Sequence, residues 1–398
     1  MHKRCLIFEA YPFFSGSQRI TVNVCKILKK NGYTVSLLVV DDRFGNIKKN
    51  YEQHVDEIIY INANPVLLKY GDEDSWFKKS NFFKSVFLGL LPFYLRTLKL
   101  IRSSKYDFLY CCDPRGAVMM LAAAIFFKKT KVLHFHGKSR LPESLSKLLL
   151  KLFDSVLCVS EAVADSLPES NKKSVVYNGI DFSQYEKIDT SKVEEYIGQK
   201  TNGDRSVIRF LYVGAIRPHK GLHHIVRAIK SVICELNPSV PVALFISGDP
   251  KSAAEISFKE ALSNYALENN ISKHIHWLGW NDNVLGWMKS CDYLLFSSIK
   301  TENNEYEGFG SVIESSEGLP TVLVESSICD LFSIAADVTG VKEVITDNQN
   351  GIIYDASYSG LVKTIEEVVK NKHSFISFPK NESFKLETFE KRILEVLV

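Results

Sequence analysis

Twice within residues 307–327, EGFGSVIESSEGLPTVLVESS, a glutamate precedes a glycine and a second glutamate follows an apolar run. Glu317 and Glu325 have seven residues between them, and Glu307 and Glu314 have six. A carboxylate at such a place can accept both hydroxyl hydrogens of a ribose, as acidic residues do in dinucleotide sites. A second chemistry-bearing stretch is VGAIRPHKGLHHIVRAI at 213–229. There a strand ends at Gly214 and a helix starts near Lys220 and Gly221. A helix N-terminus with a glycine and a lysine suits phosphate oxygens. Lys220 adds a point charge and Arg217 a forked donor. The plainer reading of the same residues is a solvated basic turn.

Two further stretches lie nearer the start. In KVLHFHGKSR, His134 and His136 alternate along a strand that ends at Gly137. An imidazole at a strand end can reach a ligand, although a lone histidine is more often structural. The pair forms no HExxH pattern, so no metal is implied. In YPFFSGSQRI, Ser15, Gly16 and Ser17 follow the first strand and open the first helix. Backbone N–H groups at that turn can cradle an anion, but a plain connecting turn fits equally well. The stretch is not GxGxxG, which removes most support for a nicotinamide dehydrogenase.

The elements that must hold these residues alternate regularly. RCLIFEA, TVSLLVV, EIIYI, DFLYCC, KVLHFH, DSVLCVS and SVVYN read as strands, separated by stretches with helical spacing such as RITVNVCKILKKNG. Continuous apolar strands between helices imply parallel sheets covered on both faces. The rhythm stops in EKIDTSKVEEYIGQKTNGDRS at 186–206 and restarts with RFLYVGA, VALFISG, HIHWLG, YLLFSS and GIIYD. The expected layout is an N-terminal Rossmann-like domain at 1–190, a linker at 191–206 and a C-terminal Rossmann-like domain at 207–378. A final helix at 379–398 is expected near the domain junction. Two such doubly wound α/β units facing each other leave a cleft at the carboxyl ends of their strands.

Composition sets limits on the function. The 398 residues suit two domains, and 45% apolar with 24% charged residues is a soluble globular composition. The net charge of +3 is unevenly distributed. Seven basic residues and no acidic one fall between positions 78 and 105, and seven more accompany only Glu143 between 128 and 151. Such a basic face favours an anionic partner. The basic runs belong to no nucleic-acid-binding module, so no nucleic-acid partner is expected. The eight cysteines are scattered without zinc spacing and read as buried reduced thiols of a cytosolic protein. MHKRCLIFEAYPFF does not read as a signal peptide. The uncharged run SVFLGLLPFYL has 11 residues, against about 20 for a bilayer span.

In order and spacing these pieces resemble the retaining GT-B glycosyltransferases of the bacterial family 4 group. The similarity runs through SGSQR, HFHG at 134–137, CVSEAVADSL at 158–167, VVYNGIDFSQY at 175–185 and LYVGAIRPHKGL at 211–222. It continues through FISGDP, HIHWLGWNDN, CDYLLFSS and VTGVKEVITDNQNGIIYD at 338–355. The family's EG-apolar-E frame is met by Glu317 and Glu325, with Glu307 and Glu314 as the alternative register. The resemblance implies that Glu325 holds the nucleotide ribose and that Glu317 lies near the donor sugar. It further implies that Lys220 neutralises the diphosphate leaving group and that His136 bonds the donor sugar. Gly16 is implied to let a loop approach the phosphates, with Gly214 and Arg217 on the diphosphate side. The family usually has arginine where this chain has Ala215, and Arg217 stands two residues on.

The implied reaction is metal-independent retaining transfer from a UDP- or GDP-sugar, used as co-substrate with no other cofactor. The implied acceptor is a lipid-linked glycan of O-antigen, capsule or exopolysaccharide assembly. The apolar and basic stretch at 81–105 suits peripheral contact with the cytoplasmic face of the inner membrane. Its plainer role is a helix packed on the N-terminal sheet. Two other readings stay open: a nucleotide-sugar 2-epimerase of the same shape, and a degenerate member that binds a partner protein.

Overall fold

The computed structural model describes residues 3–12, 14, 16–43, 45–68, 83–234, 241–303, 312–313, 317–371 and 380–397. The chain divides into two compact units, Met1–Gly179 with Ser383–Val398 and Ile180–Glu382. The strands of the first unit are β1 (Arg4–Glu9), β2 (Thr34–Val39), β3 (Glu57–Tyr60), β4 (Phe108–Cys111), β5 (Thr130–Phe135), β6 (Ser155–Cys158) and β7 (Lys173–Val175). They form one sheet in the order β3-β2-β1-β4-β5-β6-β7, and every pairing is parallel. Cys5, Leu6, Ile7, Phe8 and Glu9 of β1 are all buried, which is why this strand reads as a continuous run rather than an alternating one.

The second unit repeats the plan. Its main strands are β8 (Ile208–Val213), β9 (Val242–Ser247), β10 (Ile275–Gly279) and β11 (Tyr293–Phe296). A short antiparallel pair follows, β12 (Glu302–Asn303) with β13 (Val312–Ile313), and then β14 (Phe332–Ala336) and β15 (Gly351–Tyr354). The six-stranded order is β10-β9-β8-β11-β14-β15. Both main sheets therefore reverse strand order once, between β1 and β4 and between β8 and β11. At such a reversal the loops leave in opposite directions and open a crevice beyond the strands' carboxyl ends.

The unit boundaries differ from the expected layout. Residues 191–206 are not a free linker. Ser191–Lys200 is a helix whose Val193 and Ile197 are buried, and its Tyr196 ring meets Trp287 edge-on at 5.7 Å. Glu194 pairs with Arg209 at 3.2 Å, tying the helix to β8. Two apolar residues four apart suffice to seat one helix face, but they are too sparse to stand out in a polar stretch. The last helix, Leu386–Leu397, belongs to the core of the first unit, where Phe389, Ile393 and Leu397 join residues of β1, β2 and the helix Gly16–Lys30. Gly179 makes this return possible, because a Cβ there would stand 2.5 Å from that of Phe389. Seven of the eight free cysteines are buried, and Cys234 is exposed.

Phe389 is 1% exposed. Replacing it with alanine is expected to cost about 3–5 kcal/mol, as for large aromatic truncations in cores. Urea unfolding measures this, and a loss below about 1 kcal/mol is incompatible with a helix built into that core.

Candidate active site

In the second unit the strand-order reversal lies beside the end of β8. Gly214 follows the strand, its N–H donating to Ser247 O at 3.0 Å. One 3-10 turn, Pro218–Lys220, leads into Gly221 and the helix Leu222–Cys234. Gly221 has φ +70°, and a Cβ there would lie 1.9 Å from Ser297 O. Only glycine fits both the left-handed conformation and the close approach. Ser297 Oγ donates to Lys220 O at 3.0 Å, and Ile299 N donates to His219 O at 3.0 Å. The turn is thereby clamped to the segment that leaves β11.

The clamp fixes Lys220. Its Nζ donates to Glu317 Oε1, and Ser298 Oγ donates to the same oxygen at 2.9 Å. Burial pushes the Glu317 carboxyl up, but the Lys220 ammonium and the Ser298 hydroxyl outweigh it and hold the group below its ordinary range. Lys220 thus stands as a half-buried cation on a rigid turn. An ammonium has three donors, so the bond to Glu317 leaves capacity for a second anion. Gly340, at φ +78°, lies against Gly318, where a Cβ would come within 2.3 Å of Gly318 O. This contact seats the backbone next to Glu317.

The other expected residues are distributed around this point. Arg217 Nε donates to Glu255 Oε1 at 2.6 Å, and Glu255 Oε2 accepts from Lys251 N at 2.5 Å. Glu255 is buried in the first turn of Ala253–Glu268, whose cap is Ser252. Arg217 is therefore a charge-balanced group rather than a second isolated cation. Glu325 lies half-buried in the helix Thr321–Ile328, where its charge raises the Tyr185 hydroxyl and the Cys329 thiol behind the larger effect of burial. Glu307 and Glu314 lie outside the described residues.

In the first unit the carboxyl edge of the sheet carries a separate polar group. Glu9 ends β1, Asp113 follows β4, and His136 follows β5. Glu9 Oε1 accepts from Tyr11 N at 3.1 Å and from Gln18 Nε2 at 3.3 Å, and Oε2 accepts from the Tyr51 hydroxyl at 3.4 Å. Burial, then the Asp113 charge, push Glu9 up from 4.5 to about 8. Burial pushes Asp113 up to about 6 against the pull of Gly116 N–H and Arg115. His134 Nδ1 lies 2.7 Å from the Tyr110 hydroxyl, and its ring stands 4.0 Å from that of His136. Burial holds His136 down at about 4, so the ring is neutral at pH 7. Both its nitrogens are buried with no hydrogen-bond partner among the described residues. Gly16 opens the helix Gly16–Lys30, and a Cβ there would meet nothing within 4 Å.

The structure thus brings Lys220 and Glu317 together across 97 positions and sets Gly214 at the start of the loop that carries them. Sequence reasoning missed Ser298, Glu255, Glu9 and Asp113. Two of these left signals. Ser252-x-x-Glu255 is a capping-box pattern, and Asp113-Pro114 is a helix-start pattern. Glu9 and Ser298 sit in apolar runs that carry no such mark.

Two family models match the chain in sequence order. Residues 14–184 match the model described as Glycosyltransferase Family 4, and residues 194–385 match Glycosyl transferases group 1. An uncharacterized glycosyltransferase of Methanocaldococcus jannaschii is 26% identical over 250 residues, 61% of this chain and 58% of that protein. The N-acetylgalactosamine-N,N'-diacetylbacillosaminyl-diphospho-undecaprenol 4-alpha-N-acetylgalactosaminyltransferase of Campylobacter jejuni is 22% identical, covering 88% of this chain and 87% of its own. Among solved structures, Anabaena HepE in complex with UDP has a TM-score of 0.75 at 17% identity, covering 100% of this chain and 99% of that one. This last likeness is one of fold.

Two outcomes test the geometry. Gly221→Ala should lower stability by about 2 kcal/mol or more in urea unfolding, from the left-handed backbone and the clash with Ser297 O. A neutral substitution contradicts the clamp. Because the folded-state pKa of Glu9 lies above its unfolded value, its favourable contribution is complete below about 4.5 and is lost as pH rises through about 8. Wild type should therefore lose stability between pH 5 and pH 8 relative to Glu9→Gln. Parallel pH curves for the two proteins contradict the buried carboxyl.

Proposed function

We propose that this chain, which belongs to the glycosyltransferases of family 4 and group 1 and has their GT-B fold of two parallel-sheet α/β domains, moves a sugar from a nucleotide-diphospho-sugar to a lipid-linked glycan acceptor. The observation that carries the reading is the half-buried Lys220 ammonium, set by Gly221 at the β8/β11 reversal and partnered by Glu317. Departure of a nucleoside diphosphate develops negative charge, and a preorganised cation opposes that charge most effectively where water is scarce. Glu317 holds Lys220 in place. Gly214 keeps the strand end free of a side chain, Arg217 stands beside it with its charge balanced by Glu255, and Glu325 accepts the ribose hydroxyls. His136, neutral and with no hydrogen-bond partner among the described residues, bonds a hydroxyl of the donor sugar, and Gly16 leaves room for the donor at the loop after β1.

The transfer is retaining. The acceptor oxygen attacks the face from which the diphosphate leaves. The old sugar–oxygen bond breaks to phosphate oxygen, the new one forms to the acceptor, and the acceptor proton passes to the departing diphosphate. The charge on that diphosphate is met by Lys220, and no metal ion or cofactor enters the scheme.

The setting is cell-surface polysaccharide assembly at the cytoplasmic face of a membrane. Among the described residues no helix is long and apolar enough to cross a membrane. The helical stretch that runs from Phe83 through the π-helical turn Ser85–Leu90 and the helix Leu91–Ser103 instead exposes Phe83, Phe87, Leu91 and Leu95, spaced four apart, at 71, 61, 50 and 64%. Their buried face is Ser85, Gly89, Phe93 and Thr97. Half of this face is packed as a fold element, and the other half places apolar rings in water beside exposed Lys84, Arg96, Lys99 and Arg102. That combination suits an anionic lipid surface.

Thermal unfolding with UDP, GDP, ADP and CMP tests the donor. A nucleotide at 100 times its dissociation constant adds about 2.7 kcal/mol, a shift of several degrees. UDP or GDP should stabilise wild type and Glu307→Ala but not Lys220→Ala or Glu325→Ala. If no nucleotide stabilises wild type, the partner-binding reading replaces this one. Co-sedimentation with phosphatidylglycerol vesicles tests the surface: Phe87→Ser with Leu95→Ser should release the protein. Equal binding by the double variant contradicts lipid contact there.

A further inference from the structure

At the carboxyl edge of the first sheet, Asp113 has one oxygen in use and one without a partner. Oδ1 accepts Gly116 N–H at 2.8 Å and caps the helix Pro114–Met119. Oδ2 is buried with no hydrogen-bond partner among the described residues. Buried polar atoms are satisfied in the large majority of cases, and an orphan calls for an explanation. The cap alone does not supply one, since a serine would cap as well without burying a second oxygen.

The surroundings specify what Oδ2 can accept. Glu9 lies close enough to feel the Asp113 charge, and its own oxygens are engaged by Tyr11, Gln18 and Tyr51. Two neighbouring buried carboxyls do not both ionise readily. Burial raises both carboxyls, Glu9 the further of the two, while the Gly116 N–H and the Arg115 charge draw Asp113 back toward its charged form. Just beyond the adjacent strand, β5, His136 adds a neutral ring whose two nitrogens have no hydrogen-bond partner among the described residues. A carboxylate repels phosphate oxygens and takes hydroxyl hydrogens. With Arg115 beside it favouring the charged form, Asp113 Oδ2 is placed to accept a hydroxyl hydrogen. It lies at the β1/β4 reversal, where parallel sheets bind ligands.

We propose that Asp113 is an acceptor-binding residue of the first unit, its Oδ2 receiving a hydroxyl hydrogen from the sugar that accepts the transferred residue, with Glu9 as the positioning group behind it. The inference rests on the transferase reading above and adds which side chain recognises the acceptor and through which part of it. His136 serves the donor sugar, and Asp113 serves the acceptor.

The test uses the full chain, the stabilising nucleotide's sugar donors, and two acceptor probes: undecaprenyl-diphospho-N-acetylglucosamine and undecaprenyl-diphospho-N-acetylgalactosamine. Asp113→Asn keeps the capping oxygen and shape but replaces the second oxygen with a donor. Asp113→Ser keeps a cap and removes the second oxygen altogether. Both should raise the acceptor KM at least tenfold while the donor KM and the nucleotide-induced shift in Tm stay within twofold of wild type. An acceptor KM within twofold of wild type in both variants overturns the inference. So does a parallel loss of donor binding and thermal stability, which marks a cap and nothing more. Nucleotide stabilisation of wild type without transfer to either probe also overturns it, leaving the donor reading in place. Absence of any nucleotide stabilisation removes the transferase reading and this inference with it.

Discussion

A parallel sheet covered on both faces leaves polar chemistry few places to go. In β1, β9 and β11 the strand interiors are apolar, and no residue reaches the surface except at the ends. Loops are confined to the two strand edges, and only where strand order reverses do neighbouring loops part. Both units obey this constraint, and in each the unusual polar groups gather at the reversal. Lys220, Ser298 and Glu317 stand beside the ends of β8 and β11, and Glu9 and Asp113 stand beside the ends of β1 and β4.

Charge balance divides these two places. The second unit supplies a cation with a single carboxylate beside it, and a second cation, Arg217, already satisfied by Glu255. A half-buried ion pair is weak evidence of stability, since desolvation offsets much of the attraction. The pair is better understood as a means of holding an ammonium where an incoming anion can share it. The first unit has the opposite character. Its carboxyls and imidazole are buried, raised or lowered toward neutrality, and rich in unpaired acceptors. Anions suit the first of these environments and hydroxyls the second.

The helix face at Phe83–Leu95 follows a different physical logic. Its inward positions are small or flat enough for close packing, as Gly89 shows against Leu67 and Val66, where a Cβ would come within 2.9 Å. The large apolar side chains are thereby turned outward. The usual amphipathic order is inverted at four successive positions, and the nearby cations are not matched by acidic residues in the same stretch. An inverted stripe of this kind has a use at a lipid interface and little in bulk water.

Sequence alone determined the two α/β units, because continuous apolar runs between helical spacings admit little else. It also marked the glycine-lysine turn at Gly221 and Lys220 and offered two registers for the EG-apolar-E frame, Glu317 with Glu325 and Glu307 with Glu314, since local backbone demands and fixed spacings are written in neighbouring residues. Tertiary structure decided which groups meet. Lys220 finds Glu317 across 97 positions only because β8 and β11 lie side by side, and strand order is not encoded locally. The helix at 191–200 showed too few apolar residues to be recognised, and the last helix joined the first unit's core through Phe389, Ile393 and Leu397, with Gly179 leaving room for Phe389. The orphaned Oδ2 of Asp113 was illegible for the same reason. Burial is a property of everything packed around an atom, and no short stretch of chain contains it.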